Sequence, residues 1–276
     1  MDEVLGAFRH VPSSKTLDHL GRFLSTWSGT DKSLMTVQYS SKAMVGVLLL
    51  LQRLRAKMDL ATVTKNSEGV ARLTALSDVI GDARILYRIW GVIPMIQWLI
   101  SLEKNPPPTR LLLQVERLQA WSMVAYCPME AIAYLGYHKV LNISAQRQGW
   151  LWKHALRLWL LYIVLQFVHI IEDNRILRSR AKALERSRGH PQPRIIKEGA
   201  EEVAAQSESQ QVTRKMWDEL QDRKDALLTN FWIYFGYFPA SVHWATPSGI
   251  MSEPWVGVFG TIAAVGGAMT AWKASA

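Results

Sequence analysis

Residues Leu73 to Trp90 read LTALSDVIGDARILYRIW, a stretch that is greasy yet carries two aspartates and two arginines. How it is used decides how the chain is built. At 100° per residue, Leu73, Leu76, Val79, Ile80, Ala83, Leu86, Tyr87 and Trp90 fall in an arc of about 140°. Thr74, Ser77, Asp78, Gly81, Asp82, Arg84 and Arg88 lie opposite, with Ile85 and Ile89 among them, so the apolar surface is wider than one core contact requires. Two readings stay open. Either the arc packs on a neighbouring helix, or it sinks into one lipid monolayer while Arg84 and Arg88 meet phosphates.

The rest of the chain bears on that choice. Its 276 residues are 49% hydrophobic and 20% charged, with a mean hydropathy of +0.01, above most soluble enzymes and below a polytopic carrier. Lys and Arg outnumber Asp and Glu by 32 to 23, a net charge of +9 that favours a polyanionic partner such as an anionic membrane surface. Twelve tryptophans point the same way, because indole prefers the boundary between lipid and water. Nucleic acid ranks last as a partner, since the basic residues form no stripe with exposed aromatics. Cys127 stands alone, so neither an intrachain disulfide nor a cysteine-rich metal cluster can form. The start, MDEVLGAFRHVP, lacks the basic and apolar regions of a secretory signal.

The pattern is helical throughout, and we expect an all-α, membrane-associated bundle. Leu17, Leu20, Leu24 and Trp27 repeat at helical spacing behind Ser14, and a second helix is expected from Asp31 to Lys57. Its uncharged run, Ala43–Leu51, is too short for a bilayer crossing of about 20 residues, which favours a buried hairpin helix. Gly91 and Pro94 interrupt the helix after Trp90, and Asn105–Pro108 closes an N-terminal region, residues 1–108. Region 109–177 is expected to hold one helix closed by Pro128, a shorter one to Val140, and a possible membrane helix at 149–171. Residues 178–214 are polar and free of aromatics, the composition of a flexible linker.

Region 215–276 begins with an aromatic, interfacial segment in which Pro239 and Pro247 argue against one continuous helix. It ends in the clearest span, 254–272, which is uncharged, flanked by Glu253 and Lys273 and bracketed by Trp255 and Trp272. Within it Gly260, Ala264 and Ala268 recur every fourth residue, as do Ala263, Gly267 and Ala271. Small residues at that spacing let helices approach closely, within one chain or between chains.

No catalytic pattern emerges. The seven histidines are scattered, with no pair at ligand spacing beside acids, and GTDK at 29–32 lacks the glycines of a phosphate loop. The expectation is a non-enzyme without metal or cofactor.

Several short motifs then line up in order. GTDKSLMTVQYSSKAM, Gly29–Met44, resembles the Gly-x-Asp-Lys…Gln-Tyr opening of the peroxin-11 family. DARILYRIWG, Asp82–Gly91, stands where that family has its membrane-inserting helix. AYCPMEAIAYL, Ala125–Leu135, resembles the Tyr-x-Pro-x-Glu segment of the gamma-type branch, and SVHWATPSGIMSEPWVGVFGTI resembles that branch's C-terminal anchor. Met35 departs from the basic residue often found in the opening motif, and Val92-Ile93 replace a usual lysine-bearing continuation.

The resemblance implies an integral protein of the peroxisomal membrane that promotes elongation before fission and sets organelle size and number. It also implies self-association into a homo-oligomer and recruitment of fission machinery, including a dynamin-type GTPase. Two other functions stay open: a passive adaptor for that machinery, and a small-solute channel using Gln166 and His169.

Overall fold

The computed structural model describes residues 14–57, 64–189 and 200–276. The start at residues 1–13 and the centre of the expected linker, 190–199, lie outside them. The described residues form eight α-helices: α1 Lys15–Ser25, α2 Trp27–Lys57, α3 Thr64–Tyr87, α4 Val92–Lys104, α5 Arg110–Tyr137, α6 Ala145–Arg188, α7 Ala200–Ala245 and α8 Glu253–Ala274. A 3-10 turn, Ile89–Gly91, precedes α4.

Side-chain caps explain several starts. Ser14, Thr109 and Ser144 each accept from a backbone N–H three residues on, filling a donor that the first turn leaves open. Other boundaries differ from expectation. Pro128 and Pro239 sit inside α5 and α7 rather than ending helices. Pro128 is flanked by packed side chains, with Tyr126, Cys127 and Ala155 buried together under Met123, Met129, Leu158 and Trp159. That packing opposes the break which a missing N–H would otherwise favour. The polar 178–214 segment is helical at 178–188 and again from Ala200, where its composition implied a flexible linker.

The chain divides into two compact units, one from Met1–Tyr87 and Ile250–Ala276, the other from Arg88–Gly249. In the first, α2 is central. It runs antiparallel to α8, with Gly46 over Pro254, Lys42 and Ala43 over Gly257, Tyr39 over Gly260 and Lys32 over Gly267. Those positions advance by three or four residues and then by seven on α2, and by three and then seven on α8, the spacing of a close-packed seam. Antiparallel α3 lies on another side of α2, with Gly69 beside Leu48, Gly81 beside Gln38 and Tyr87 beside Trp27.

In the second unit α5, α6 and α7 pack in sequence. Gln119 meets Gln166 and Glu116 meets His169 between α5 and α6; Tyr162 meets Tyr234, and Phe167 meets Phe231 and Phe238, between α6 and α7.

Three helices, α2, α6 and α8, are long and apolar enough to cross a membrane, and Glu68–Tyr87 with Ile89–Lys104 would add a fourth if they form one broken span. The α2 result corrects the expectation of a buried hairpin helix. Met44, Val47, Leu50 and Leu54 are about half exposed rather than packed inside. Hydroxyls before the uncharged run bond back onto the helix. Thr36 Oγ1 donates to the Lys32 carbonyl at 2.8 Å, Ser40 Oγ to Thr36 at 2.6 Å and Ser41 Oγ to Val37 at 2.8 Å, so polar residues beside the uncharged run are internally satisfied.

Candidate functional site

Helix α3 is built inside out. The side toward α2 is polar: Ser77 is 1% exposed and Arg84 5%. Gly81 lets the backbone approach Gln38, since a Cβ there would lie 2.5 Å from Gln38 Nε2. One helical turn on, Arg84 donates from Nε to Asp31 Oδ1 at 2.9 Å, from Nη2 to Asp31 Oδ2 at 3.3 Å and from Nη1 to Gln38 Oε1 at 2.7 Å. The guanidinium also stands 5.9 Å from the Tyr39 ring centroid, within cation–π range. A two-pronged carboxylate bond with a third acceptor is the satisfied arrangement that a buried arginine needs.

The opposite side of α3 is apolar and uncovered. Leu76 is 44% exposed, Val79 68% and Leu86 53%; Ala83 is exposed, while Leu73, Ile80 and Tyr87 are half-buried. Leu76, Val79, Ala83 and Leu86 therefore do not pack on α2, whereas Tyr87 meets Trp27 at the start of that helix, with ring centroids 4.8 Å apart. Trp90 falls beyond the helix, in the 3-10 turn, and is exposed.

The arginines expected to face phosphates need correction. Arg84 is occupied by Asp31, a carboxylate supplied from 53 residues upstream. Arg88, half-buried in the second unit, donates from Nη2 to Glu130 Oε1 at 3.3 Å, and the buried Tyr126 hydroxyl also donates to Glu130. A sequence pattern marks which side of a helix is polar; it does not say whether that side meets water or another polar helix.

The small residues of α8 are brought together as a seam. Gly260, Ala263, Ala264 and Gly267 are buried, Ala268 and Ala271 half-buried. Tyr39 lies on Gly260, where a Cβ would sit 2.3 Å from its ring, and the α2 backbone passes Gly257 so closely that a Cβ there would be 2.4 Å from the Ala43 nitrogen. The stripe thus serves helix pairing within the chain. At the far end Trp272 packs on His19 and Phe23 of α1, with ring centroids 3.8 and 5.3 Å apart, and Arg22 Nε donates to the Ser275 carbonyl.

With this geometry in hand, comparison of the sequence with known families finds one match, to peroxisomal biogenesis factor 11 (PEX11), over residues 17–272. The chain belongs to the PEX11 family. No curated protein and no solved structure matches it. Membership assigns this PEX11 protein to the peroxisomal membrane and to peroxisome biogenesis.

The motif residues that carried the resemblance now have physical roles. In Gly-Thr-Asp-Lys, Gly29 closes the α1–α2 corner, where a Cβ would stand 1.9 Å from the Phe23 carbonyl oxygen. Thr30 Oγ1 donates to the Leu24 carbonyl, Asp31 holds Arg84, and the Lys32 chain lies against Gly267. Gln38 and Tyr39, the Gln-Tyr pair, complete the Arg84 pocket and the α8 seam respectively. In the Tyr-x-Pro-x-Glu segment Glu130 holds Arg88, and Tyr126 donates to Glu130. Sequence reasoning missed Asp31, Gln38 and Glu130 as partners; the available signal was acidic and amide groups set among apolar residues on their helices.

Proposed function

We propose that this PEX11 protein remodels the peroxisomal membrane by presenting the outer face of α3 to the acyl chains of one leaflet, with α2 and α8 as an integral anchor. The supporting observation is the inverted sidedness of α3: Arg84 and Ser77 inside, Leu76, Val79 and Leu86 outside. Each such side chain moved from water to lipid contributes about 1.5–3 kcal/mol, so three of them outweigh a modest ordering cost. The apolar section Leu73–Tyr87 spans about 22 Å at 1.5 Å per residue, short of a hydrocarbon core of about 30 Å. Above it, the exposed pair Glu68–Arg72 marks an end suited to water. A helix of that reach expands one monolayer more than the other and favours curvature.

Self-association would concentrate such wedges, and recruitment of a dynamin-type fission GTPase would follow on the narrowed membrane. Because the small-residue face of α8 is occupied by α2, self-association would use another surface, such as exposed Val258, Val265 and Met269.

The test is reconstitution of the full chain into vesicles containing anionic lipid. The expected result is tubulation by the natural sequence and none by Leu76→Asp/Leu86→Asp, with helicity unchanged because both sites are exposed. Undiminished tubulation by the double variant would refute the wedge and leave an adaptor for fission proteins.

A further inference from the structure

Beneath the uncovered arc of α3, its inner side borders a cavity of about 320 Å³ lined by Lys42 and Val45 of α2, Thr74, Ser77 and Asp78 of α3, and Glu253 of α8. Ser77 is 1% exposed, and its Oγ is buried without a hydrogen-bond partner. An orphaned buried hydroxyl is costly unless something supplies the missing bond. The charges around it are of both signs. Lys42 Nζ donates to Glu253 Oε2 at 2.5 Å, and an ammonium carries three donors, of which Glu253 takes one. Asp78 is exposed and adds a second carboxylate to the lining.

We infer that this cavity is a binding site for a phosphoethanolamine group presented by a phospholipid. Lys42 and the Thr74 hydroxyl offer donors to the phosphate. Asp78, Glu253 and the Ser77 hydroxyl offer acceptors to a primary ammonium. A primary ammonium donates three hydrogen bonds and fills such a set, whereas a quaternary choline nitrogen has no N–H to donate to Ser77 or to either carboxylate. A phosphoglycerol headgroup can exchange hydrogen bonds with Ser77 but brings no cation to offset the two carboxylates at the lining. Placement fits a lipid source. Glu253 opens α8, and Trp255, 58% exposed, stands two residues further in, as an indole at the lipid boundary would. This depth rests on α8 crossing the bilayer as proposed above; it does not rest on the wedge.

The experiment is native mass spectrometry of the purified full chain equilibrated in micelles with equal phosphatidylethanolamine, phosphatidylcholine and phosphatidylglycerol. One extra charged hydrogen bond corresponds to roughly five-fold preference or more, so retention of phosphatidylethanolamine should exceed the others by at least that factor. Asp78→Asn and Ser77→Ala should each reduce the preference toward unity; Asp78 is exposed, so its variant folds. Soluble O-phosphoethanolamine should not displace the lipid. Leu76→Asp/Leu86→Asp should keep the preference even where tubulation is lost, which separates this site from the wedge. Equal retention of the three lipids, the mark of a cavity holding water only, would overturn the assignment. So would unchanged preference in Asp78→Asn, or displacement by the soluble compound.

Discussion

Arg84 and Asp31 form a two-pronged ion pair, 2.9 and 3.3 Å, with side chains only 6% and 11% exposed. It joins α3 to α2, the central helix of its unit. Removing one partner of such a pair typically costs about 3–5 kcal/mol, and Lys32 Nζ, 3.7 Å from Asp31 Oδ2, offsets part of that when Arg84 is lost. Arg84→Ala should therefore lower the thermal midpoint of the reconstituted protein sharply. Arg84→Ala/Asp31→Asn should recover part of the loss, because no bare charge remains. Additive losses in the double variant would show that the pair is not coupled.

The seam between α2 and α8 orders a glycine series. At Gly257 an added Cβ meets the α2 backbone at 2.4 Å, which cannot yield, whereas at Gly267 it meets the flexible Lys32 chain at 3.0 Å. Gly257→Ala should destabilise the α2–α8 pair by about 1–3 kcal/mol as overpacking does, and Gly267→Ala by much less. Protease release of the C-terminal helix gives the ranking; equal sensitivity would contradict it.

Gln119 Nε2 donates to Gln166 Oε1 at 2.5 Å between α5 and α6. Gln166→Leu leaves the buried Gln119 amide with only a long bond of 3.5 Å to the Tyr162 carbonyl, at a cost of about 1–3 kcal/mol, and Gln119→Leu, which leaves the half-buried Gln166 open to water, should cost less. Both changed together should be close to neutral. A double-mutant cycle on detergent-solubilised protein checks this, and a double variant worse than either single one would rule it out.

Cys127 is 9% exposed on α5. Burial, with the nearby Glu130 charge second, pushes its thiol up to about 11. Below pH 9 the thiolate fraction is small, so maleimide at pH 7.5 should leave the natural chain unlabelled until it is denatured. A cysteine introduced at Val79, 68% exposed, should label readily in micelles and lose reactivity once vesicles bury it. Rapid labelling of the natural chain would show that α5 opens.

Much of this architecture was legible in the sequence, because helical periodicity and small-residue spacing are local signals. The all-α class, the arc on 73–90 and the C-terminal seam residues all follow from it. What escaped depended on distant partners. Arg84 reads as lipid-facing until Asp31 and Gln38 are brought beside it by an antiparallel helix. Helix α2 reads as too short to cross because Lys42 and Gln52 bound its uncharged run, yet Lys42 is paired with Glu253 of α8 and the hydroxyls before it bond to carbonyls four residues back. Pro128 and Pro239 read as stops because their surroundings cannot be seen locally.

Lys42 and Glu253 are paired across 211 residues of sequence. Helix α2 therefore leaves the ribosome long before its partner is made, and its Tyr39–Lys42 groove stays open throughout that wait. Early insertion would commit the helix to lipid while still unmatched; delayed insertion would need a holdase over that groove. The assembly of this unit is accordingly a late event in biosynthesis, set by the arrival of the last helix.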